Sequence, residues 1–443
     1  MRARANSLGR MQYRPSVDAA FAALTAEDDG RACRELSPDA CRAQPGSFLR
    51  HAAALTLTKS ADGLIDPKLV LSWLLTTLGA PAIFVGLLVP VREAGALLPQ
   101  LFTAGWIRRL PRRKWVWAGA SLVQGAAALA ILAAGLTLSG AAAGATIVAA
   151  LAVLAVARSF ASVSYKDVLG KTVDKARRGT ATGLASSAAA ASVVIFALLL
   201  MSGLVERGVL VFAGLGLAGI AWILAGLVFA TLAEEAGATE GGRNAARVAL
   251  SHLAYLRDDP QLRRFILVRG CLVATALAPP YLVMLGAGAG GVFEALGALV
   301  LASALAGLVS SYVWGRLADR SSRLVLAAAG GLGAAALLLA LGVSAAGPGG
   351  TSWALPVALF ALMIAYQGVR LGRATHLVDM APGDRRAVYT ALANTVIGLL
   401  LLAGGLVGAL AALAGPAAAV WLFVALSAAG GALALGLDEV QAD

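Results

Sequence analysis

Residues 104–120 read AGWIRRLPRRKWVWAGA, and residues 314–330 read WGRLADRSSRLVLAAAG. Each stretch closes one apolar run, turns through a short basic loop and opens another. Gly105 and Gly315 stand 210 residues apart. A second pair agrees. Residues 170–187, GKTVDKARRGTATGLASS, match residues 376–395, HLVDMAPGDRRAVYTALANT, with Arg177-Arg178 falling on Arg385-Arg386 at an offset of 208. Two independent matches at nearly one offset mean two homologous halves.

Composition places both halves in a bilayer. Of 443 residues, 59% are hydrophobic and only 14% charged, and the mean hydropathy is +0.80. The apolar runs reach about 20 residues, the length at which a helix crosses the hydrocarbon core. Abundant alanine and 51 glycines suit membrane helices that pack closely through small residues. A net charge of +12 could suit nucleic acid. The basic residues, however, sit in short loops between apolar spans, where they set orientation and form no DNA-binding face. Cys33 and Cys41 have no histidine nearby, so zinc ligation is not expected and both read as free thiols. Residues 1–54 read as a polar cytoplasmic tail; within it, 16–28 fit a short amphipathic helix or disorder equally well.

The expected fold is an all-α polytopic membrane protein with twelve transmembrane helices in two pseudo-symmetric halves of six. The spans fall near 55–77, 82–105, 115–136, 144–165, 180–203, 209–232, 264–286, 292–314, 323–344, 353–372, 388–411 and 416–436. The halves are 55–233 and 264–437, joined by a polar cytoplasmic linker at 234–263 and followed by a cytoplasmic C-terminus at 438–443. The first span needs the repeat to be seen. Hydropathy alone draws it over 69–90, because Lys59, Asp62, Asp66 and Lys68 come before. Subtracting 210 from the seventh and eighth spans gives about 54–76 and 82–104. The charged segment therefore belongs inside the first helix, and 79–81 form a tight turn. Of 36 Lys and Arg, 30 lie before Leu55 or in the even-numbered loops, while the odd-numbered loops hold only Arg207. The basic side is expected to be cytoplasmic, with both termini inside and the chain in the cytoplasmic (inner) membrane.

The run Gly315-Arg316-Leu317-Ala318-Asp319-Arg320, followed by Arg323, resembles the signature loop of the major facilitator superfamily, which joins helices 2–3 and again helices 8–9. With the repeat and the polar linker, the resemblance covers roughly residues 55–436. It implies a latch. Gly315 lets the eighth helix approach a neighbour closely. Asp319 sits at the positive N-terminal end of the eleventh helix and pairs with a nearby arginine, a contact that holds the outward-facing arrangement. The plainer reading is that Asp319 and Arg320 keep the loop soluble. The first copy departs from the pattern: Gly105 is kept, but Arg109 stands where the aspartate belongs. A reversed pair is expected there, with Arg109, Arg112 or Arg113 meeting Asp167 or Asp174. The fifth span, TATGLASSAAAASVVIFALLLMSG, lacks the proline of the family's antiporter pattern, which speaks against a drug/proton antiporter.

Ionisable groups inside spans are expensive, about 2.5–3.5 kcal/mol each at a helix centre, and usually pair or face water. Lys59, Asp62 and Asp66 share a helical face at a spacing that permits pairing, while Lys68 points the opposite way and is expected to snorkel. Pro67 breaks the helix beside Asp66. Arg92 and Glu93 lie near the middle of the second span and, being adjacent, need separate partners. Arg158 lies past the middle of the fourth. Arg158 is a candidate for an anionic substrate group, and Glu93 or Asp66 for the coupling proton. The competing reading is a buried network across helices 1, 2 and 4 that only fixes packing. The second half offers Tyr366 and Gln367, with Arg269 as the repeat mate of Lys59; apolar or hydrogen-bonded substrate contacts are expected from it.

The halves, the spans and these charges point to a secondary active transporter working by alternating access, with its site between the repeats. The expected partners are a small solute, protons and the bilayer. A monomer is expected, with no nucleic acid, no cofactor and no metal. No HExxH, GxSxG or P-loop is present, so the sequence offers no support for an enzyme or an ATP-driven pump. The alternative is a non-transporting protein of the same fold, acting as an assembly factor or sensor.

Overall fold

A computed structural model describes residues 36–237, 257–288, 292–346, 348–381 and 386–441, with isolated positions between 17 and 24 and at 239. Most of the 16–28 segment and of the central linker lie outside these residues, as does Cys33. All regular structure among the described residues is helical. The first half comprises α1 (Pro38–Leu64), α2 (Val70–Thr77), α3 (Ala82–Leu97), α4 (Gln100–Arg108), α5 (Lys114–Thr137), α6 (Gly140–Thr172), α7 (Lys175–Ser202) and α8 (Arg207–Ala230). The second comprises α9 (Pro260–Leu272), α10 (Ala274–Leu277), α11 (Pro279–Gly288), α12 (Val292–Ala318), α13 (Ser322–Ala345), α14 (Pro348–Met380), α15 (Arg386–Gly404), α16 (Val407–Ala414) and α17 (Pro416–Ala434). The repeat is visible in the lengths: α5 and α13 have 24 residues each, α6 and α14 have 33 each.

Nine helical stretches among the described residues are long and apolar enough to cross a membrane. The first, second and eighth expected spans fall outside that set, for local reasons. The first is split between α1 and α2 by the charged segment. The second is split between α3 and α4 at Leu98-Pro99, where proline cannot donate to the helix ladder. The eighth contributes a shorter apolar helical stretch at Ala295–Ser310 within α12.

The first helix begins at Pro38, well inside the stretch read as tail. Ser37 Oγ accepts from Ala40 N at 3.2 Å, and Pro38 occupies the first turn, where its missing N–H costs nothing. Phe48, His51, Ala52 and Ala54 are buried, and Phe48 packs with Leu169, Val173 and Ala181. An apolar stripe carried by an otherwise polar segment is invisible to a hydropathy window but sufficient to dock a helix. Cys41 is disulfide-bonded, which corrects the expectation of a free thiol there: the residue sits in this ordered helix, not in a loose tail.

The halves meet through α2, α3 and α7 on one side and α10, α11, α12, α15 and α16 on the other. Two contacts are backbone-close. A Cβ on Gly86 would lie 2.5 Å from Gly408 Cα, and one on Gly297 would lie 2.9 Å from Ala197 O and 2.6 Å from Met201 Cγ. Both are near the ends away from the basic loops, so glycine closes the interface at that end.

His51 anchors the basic end of α1. Thr172 Oγ1 donates to Val168 O at 2.7 Å, so His51 Nε2–H donates to Thr172 Oγ1 at 2.8 Å. Burial holds the His51 pKa down to about 3, from an ordinary value of 6.5. The unfolded chain therefore binds more protons than the folded one between those values. The contribution is complete above pH 6.5 and falls as pH drops toward 3. Thermal unfolding of the purified protein should show a loss of about 2 kcal/mol from this group between about pH 6.5 and pH 5. His51→Gln, which keeps a donor to Thr172, should flatten that part of the profile; a profile parallel to wild type contradicts the assignment.

Candidate functional site

One carboxylate organises the first half. Asp62, near the end of α1, accepts from Arg92 Nη2 at 2.6 Å and from Arg158 Nη1 through its other oxygen. The network thus joins α1, α3 and α6, as the packing reading anticipated. Pairing along the helix is not what forms. Lys59 Nζ donates to Ser186 Oγ on α7. Asp66 Oδ1 accepts from Lys68 N at 2.8 Å and Leu69 N at 3.0 Å, closing the turn at 67–69 that separates α2 from α1 after Pro67 has interrupted α1.

The restart also redirects Lys68. The residue is 7% exposed, with Nζ 3.6 Å from the centroid of the Tyr366 ring on α14. It does not snorkel; it reaches across to the other half and rests on an aromatic face. The face assignment failed because residues past the break at 65–69 no longer follow the helical phase of α1.

Between the halves lies a small cavity of about 40 Å³ lined by Glu93, Leu97, Arg269, Tyr366, Arg370 and Arg373, among others. It has room for water rather than for a whole solute. Arg269 on α9 is 5% exposed and donates through Nη2 to Asn394 Oδ1 on α15 at 2.9 Å. Three guanidiniums line the second half's side of this cavity. Arg370 and Arg373 straddle the predicted end of the tenth span at 372, and α14 carries both, running unbroken to Met380. Glu93 and Tyr366 face this cavity. Gln367 does not line it; its amide lies beside Gly307 of α12. Arg158 and Lys59 instead line a second cavity of about 240 Å³ within the first half, together with Thr58, Gln124, Tyr165 and Lys166.

The repeated loops are closed by acids that follow the last helix of each half. In the first half Arg113 pairs with Asp167, the reversed pair expected from the sequence, and Lys171 reaches Asp167 at 2.8 Å. Buried Glu234 accepts from Arg113 N at 3.0 Å, Lys114 N at 2.7 Å and Lys171 Nζ at 3.1 Å. Its charge sits at the N-terminus of α5, where the helix dipole favours it. In the second half, Glu439 lies 3.1 Å from Arg323 Nε and accepts from Ser321 Oγ at 2.5 Å. Gln441 joins in, accepting from Ser322 N at 2.8 Å and donating to Asp379 Oδ2 at 2.7 Å. Arg113 and Arg323 are repeat mates at 210, and each meets an acid from beyond its half's last helix, Arg113 through its backbone N–H and Arg323 through its guanidinium. Sequence reading passed over Glu234 and Glu439 as linker and terminus; an acid just after each half's last apolar run was the available signal.

The remaining loop residues behave differently. Gly105 is buried, and Arg109 and Arg320 are exposed. Asp319 is exposed and forms no ion pair among the described residues; 382–385, which lead into α15, lie outside them. A Cβ on Gly315 would meet nothing within 4 Å, so the expected close approach is not made there. It is made at Gly368 on α14, where a Cβ would lie 2.8 Å from the Trp314 ring. The bulky Trp314 is the residue that packs inward, which turns Gly315 away. No group of His, Cys, Asp and Glu suited to a metal occurs among the described residues.

No protein-family model and no curated protein sequence matches the chain. Solved structures do. A point mutant of the nucleoside transporter NupG superposes with a TM-score of 0.64 at 13% identity, over 88% of this chain and 98% of that one. A D-xylose-proton symporter gives 0.64 at 11% identity, over 89% and 98%. A bacterial homologue of the iron transporter ferroportin, in an inward-facing state, gives 0.60 at 16% identity, over 88% and 98%. These neighbours are transporters rather than enzymes. The chain shares the fold of these membrane transporters, and nine helical stretches among its described residues are long and apolar enough to cross a membrane.

Two outcomes follow from the charge pairs. Asp62→Asn leaves Arg92 and Arg158 without a counter-charge and should lower stability by about 2 kcal/mol, more than Arg158→Gln, which leaves Asp62 paired. Equal unfolding midpoints for Asp62→Asn and wild type would sink this reading. Arg113→Asp and Asp167→Arg should each loosen the basic face, read as faster limited proteolysis. Combining them should restore part of the protection, and a double variant as labile as the sum of the singles would show that the pair is incidental.

Proposed function

We propose that the protein is a secondary active transporter that carries a small solute across the cytoplasmic membrane by alternating access. The observation that carries this reading is a cavity with ionisable walls between two repeat-related halves that are packed shut at one end. Twelve membrane helices, six in each half, form the moving bodies, and the protein works as a monomer without a cofactor. With the basic face cytoplasmic, both termini are inside and the glycine-closed end faces outward; the arrangement is then inward-facing. The transporter neighbours, one of them a D-xylose-proton symporter, support the reading.

Alternation needs contacts between the halves that can break. Lys68 on Tyr366 is one, and the Gly86–Gly408 approach is another. The Asp62–Arg92–Arg158 network holds the first half rigid while this happens, so the halves move as bodies. Asp66 is engaged by the backbone of the turn before α2, which leaves Glu93 as the carboxylate among the residues lining the cavity. No ion pair of Glu93 is found among the described residues. A proton gradient is the drive.

In proteoliposomes, Glu93→Gln should retain solute exchange between equal compartments and lose accumulation driven by a pH gradient. Unchanged accumulation removes Glu93 from the coupling step. Failure of the wild-type protein to move any solute in a broad metabolite screen would instead favour a sensor or assembly factor that keeps the shape without the flux.

A further inference from the structure

The two halves treat the arginines of their interior differently: Arg269 is buried, Arg92, Arg158 and Arg373 are part-buried, and Arg370 is exposed. Arg92 and Arg158 share Asp62. On the other side of the interface, Arg269, Arg370 and Arg373 line one cavity, and no ion pair to any of them occurs among the described residues. Glu93 is the single carboxylate among the lining residues. Arg370 and Arg373 are three apart on α14, so they project to one face. Arg269 is the most constrained. It is buried, at 5% exposure, its one hydrogen bond goes to a neutral amide, and its Nε has no hydrogen-bond partner among the described residues.

A guanidinium out of water without a counter-charge is costly, by several kcal/mol. Packing alone does not call for it, because a neutral side chain of similar length would fill the same space. A guanidinium presents its donors as a planar fork matched to the two oxygens of a carboxylate or phosphate. Arg269 is the guanidinium held out of water; with part-buried Arg373 and exposed Arg370 beside it, three guanidiniums against one glutamate leave the cavity lining two positive charges in excess. A neutral solute would leave that excess standing; an anion would cancel it.

We propose that the solute carries an oxyanion, a carboxylate or phosphate, which Arg269, Arg370 and Arg373 bind in the cavity between the halves. This assignment rests on the transporter reading for its physiological meaning, but the site itself is defined by binding. Arg269 supplies the fixed contact from α9, oriented by Asn394. Arg370 and Arg373 close on the anion from α14. In the present packing the cavity of about 40 Å³ admits only a group the size of the anion, so the remainder of the solute enters as the halves separate.

The test is calorimetric titration of the purified full-length protein with inorganic phosphate, acetate, succinate and citrate at constant ionic strength, with D-glucose as the neutral control. At least one oxyanion should bind and D-glucose should not. Arg269→Gln should weaken that binding about tenfold or more, the scale of losing one charge-assisted hydrogen bond, with Arg269→Lys intermediate. Should Arg269→Gln fail to fold, the double variant Arg370→Gln/Arg373→Gln, at less buried positions, should show a similar loss. Absence of binding by every oxyanion, or affinities within about twofold of wild type in the variants, overturns the site. Vesicle flux with the same compounds separates the two readings. Binding without flux upholds the anion site and counts against transport; accumulation of a neutral solute without oxyanion binding upholds transport and overturns the anion site.

Discussion

Asp62 between Arg92 and Arg158 is the interaction on which the first half depends. In a bilayer, charges and backbone polar groups must find partners within the protein. Here one carboxylate satisfies two guanidiniums from two other helices. The break beside it is satisfied the same way, with Asp66 accepting the N–H groups that Pro67 leaves without helical partners. The break turns Lys68 toward Tyr366. The pairing of Arg92 on one side of α3 leaves its neighbour Glu93 on another, facing the cavity. A single satisfied charge cluster thereby sets which groups the first half presents to the second.

The ends of the two halves are built alike, and their centres are not. Glu234 and Glu439 each fold back from the end of a half onto the basic loop, meeting the equivalent positions at Arg113 and Arg323. The loops carry concentrated positive charge, and an acid delivered from the last helix neutralises it while satisfying or bracing the start of the next helix. Away from these loops the first half pairs Arg92 and Arg158 with Asp62, whereas the second keeps three guanidiniums facing a cavity with one glutamate. Repetition accounts for the architecture; the departure from repetition accounts for the polarity of the site.

Much of this was legible in the chain. The repeat places the charged segment of 59–68 inside the first helix against the hydropathy window; in the structure Lys59 and Asp62 lie in α1, while Asp66 and Lys68 fall in the break before α2. The reversed Arg113–Asp167 pair was among the pairings the loop sequences allowed. The destinations of Lys59, Asp66 and Lys68 were not legible. Helical periodicity assigns faces only while the helix continues, and Pro67 ends it. The apolar window of the tenth span ends at 372, next to Arg373, although α14 continues in unbroken helix to Met380.

Sequence by itself determined the two halves, the membrane-spanning character and the identity of the charged groups within the spans. Those follow from composition and periodicity, which are properties of neighbours along the chain. Tertiary structure decided which charge meets which: Asp62 with two arginines from distant helices, Lys68 with an aromatic ring of the other half, and Arg269 with a neutral amide. Such pairings are set by how helices turn about their axes and where they cross. In a bilayer, where unpaired charge is costly, those few choices separate a structural network from a binding site.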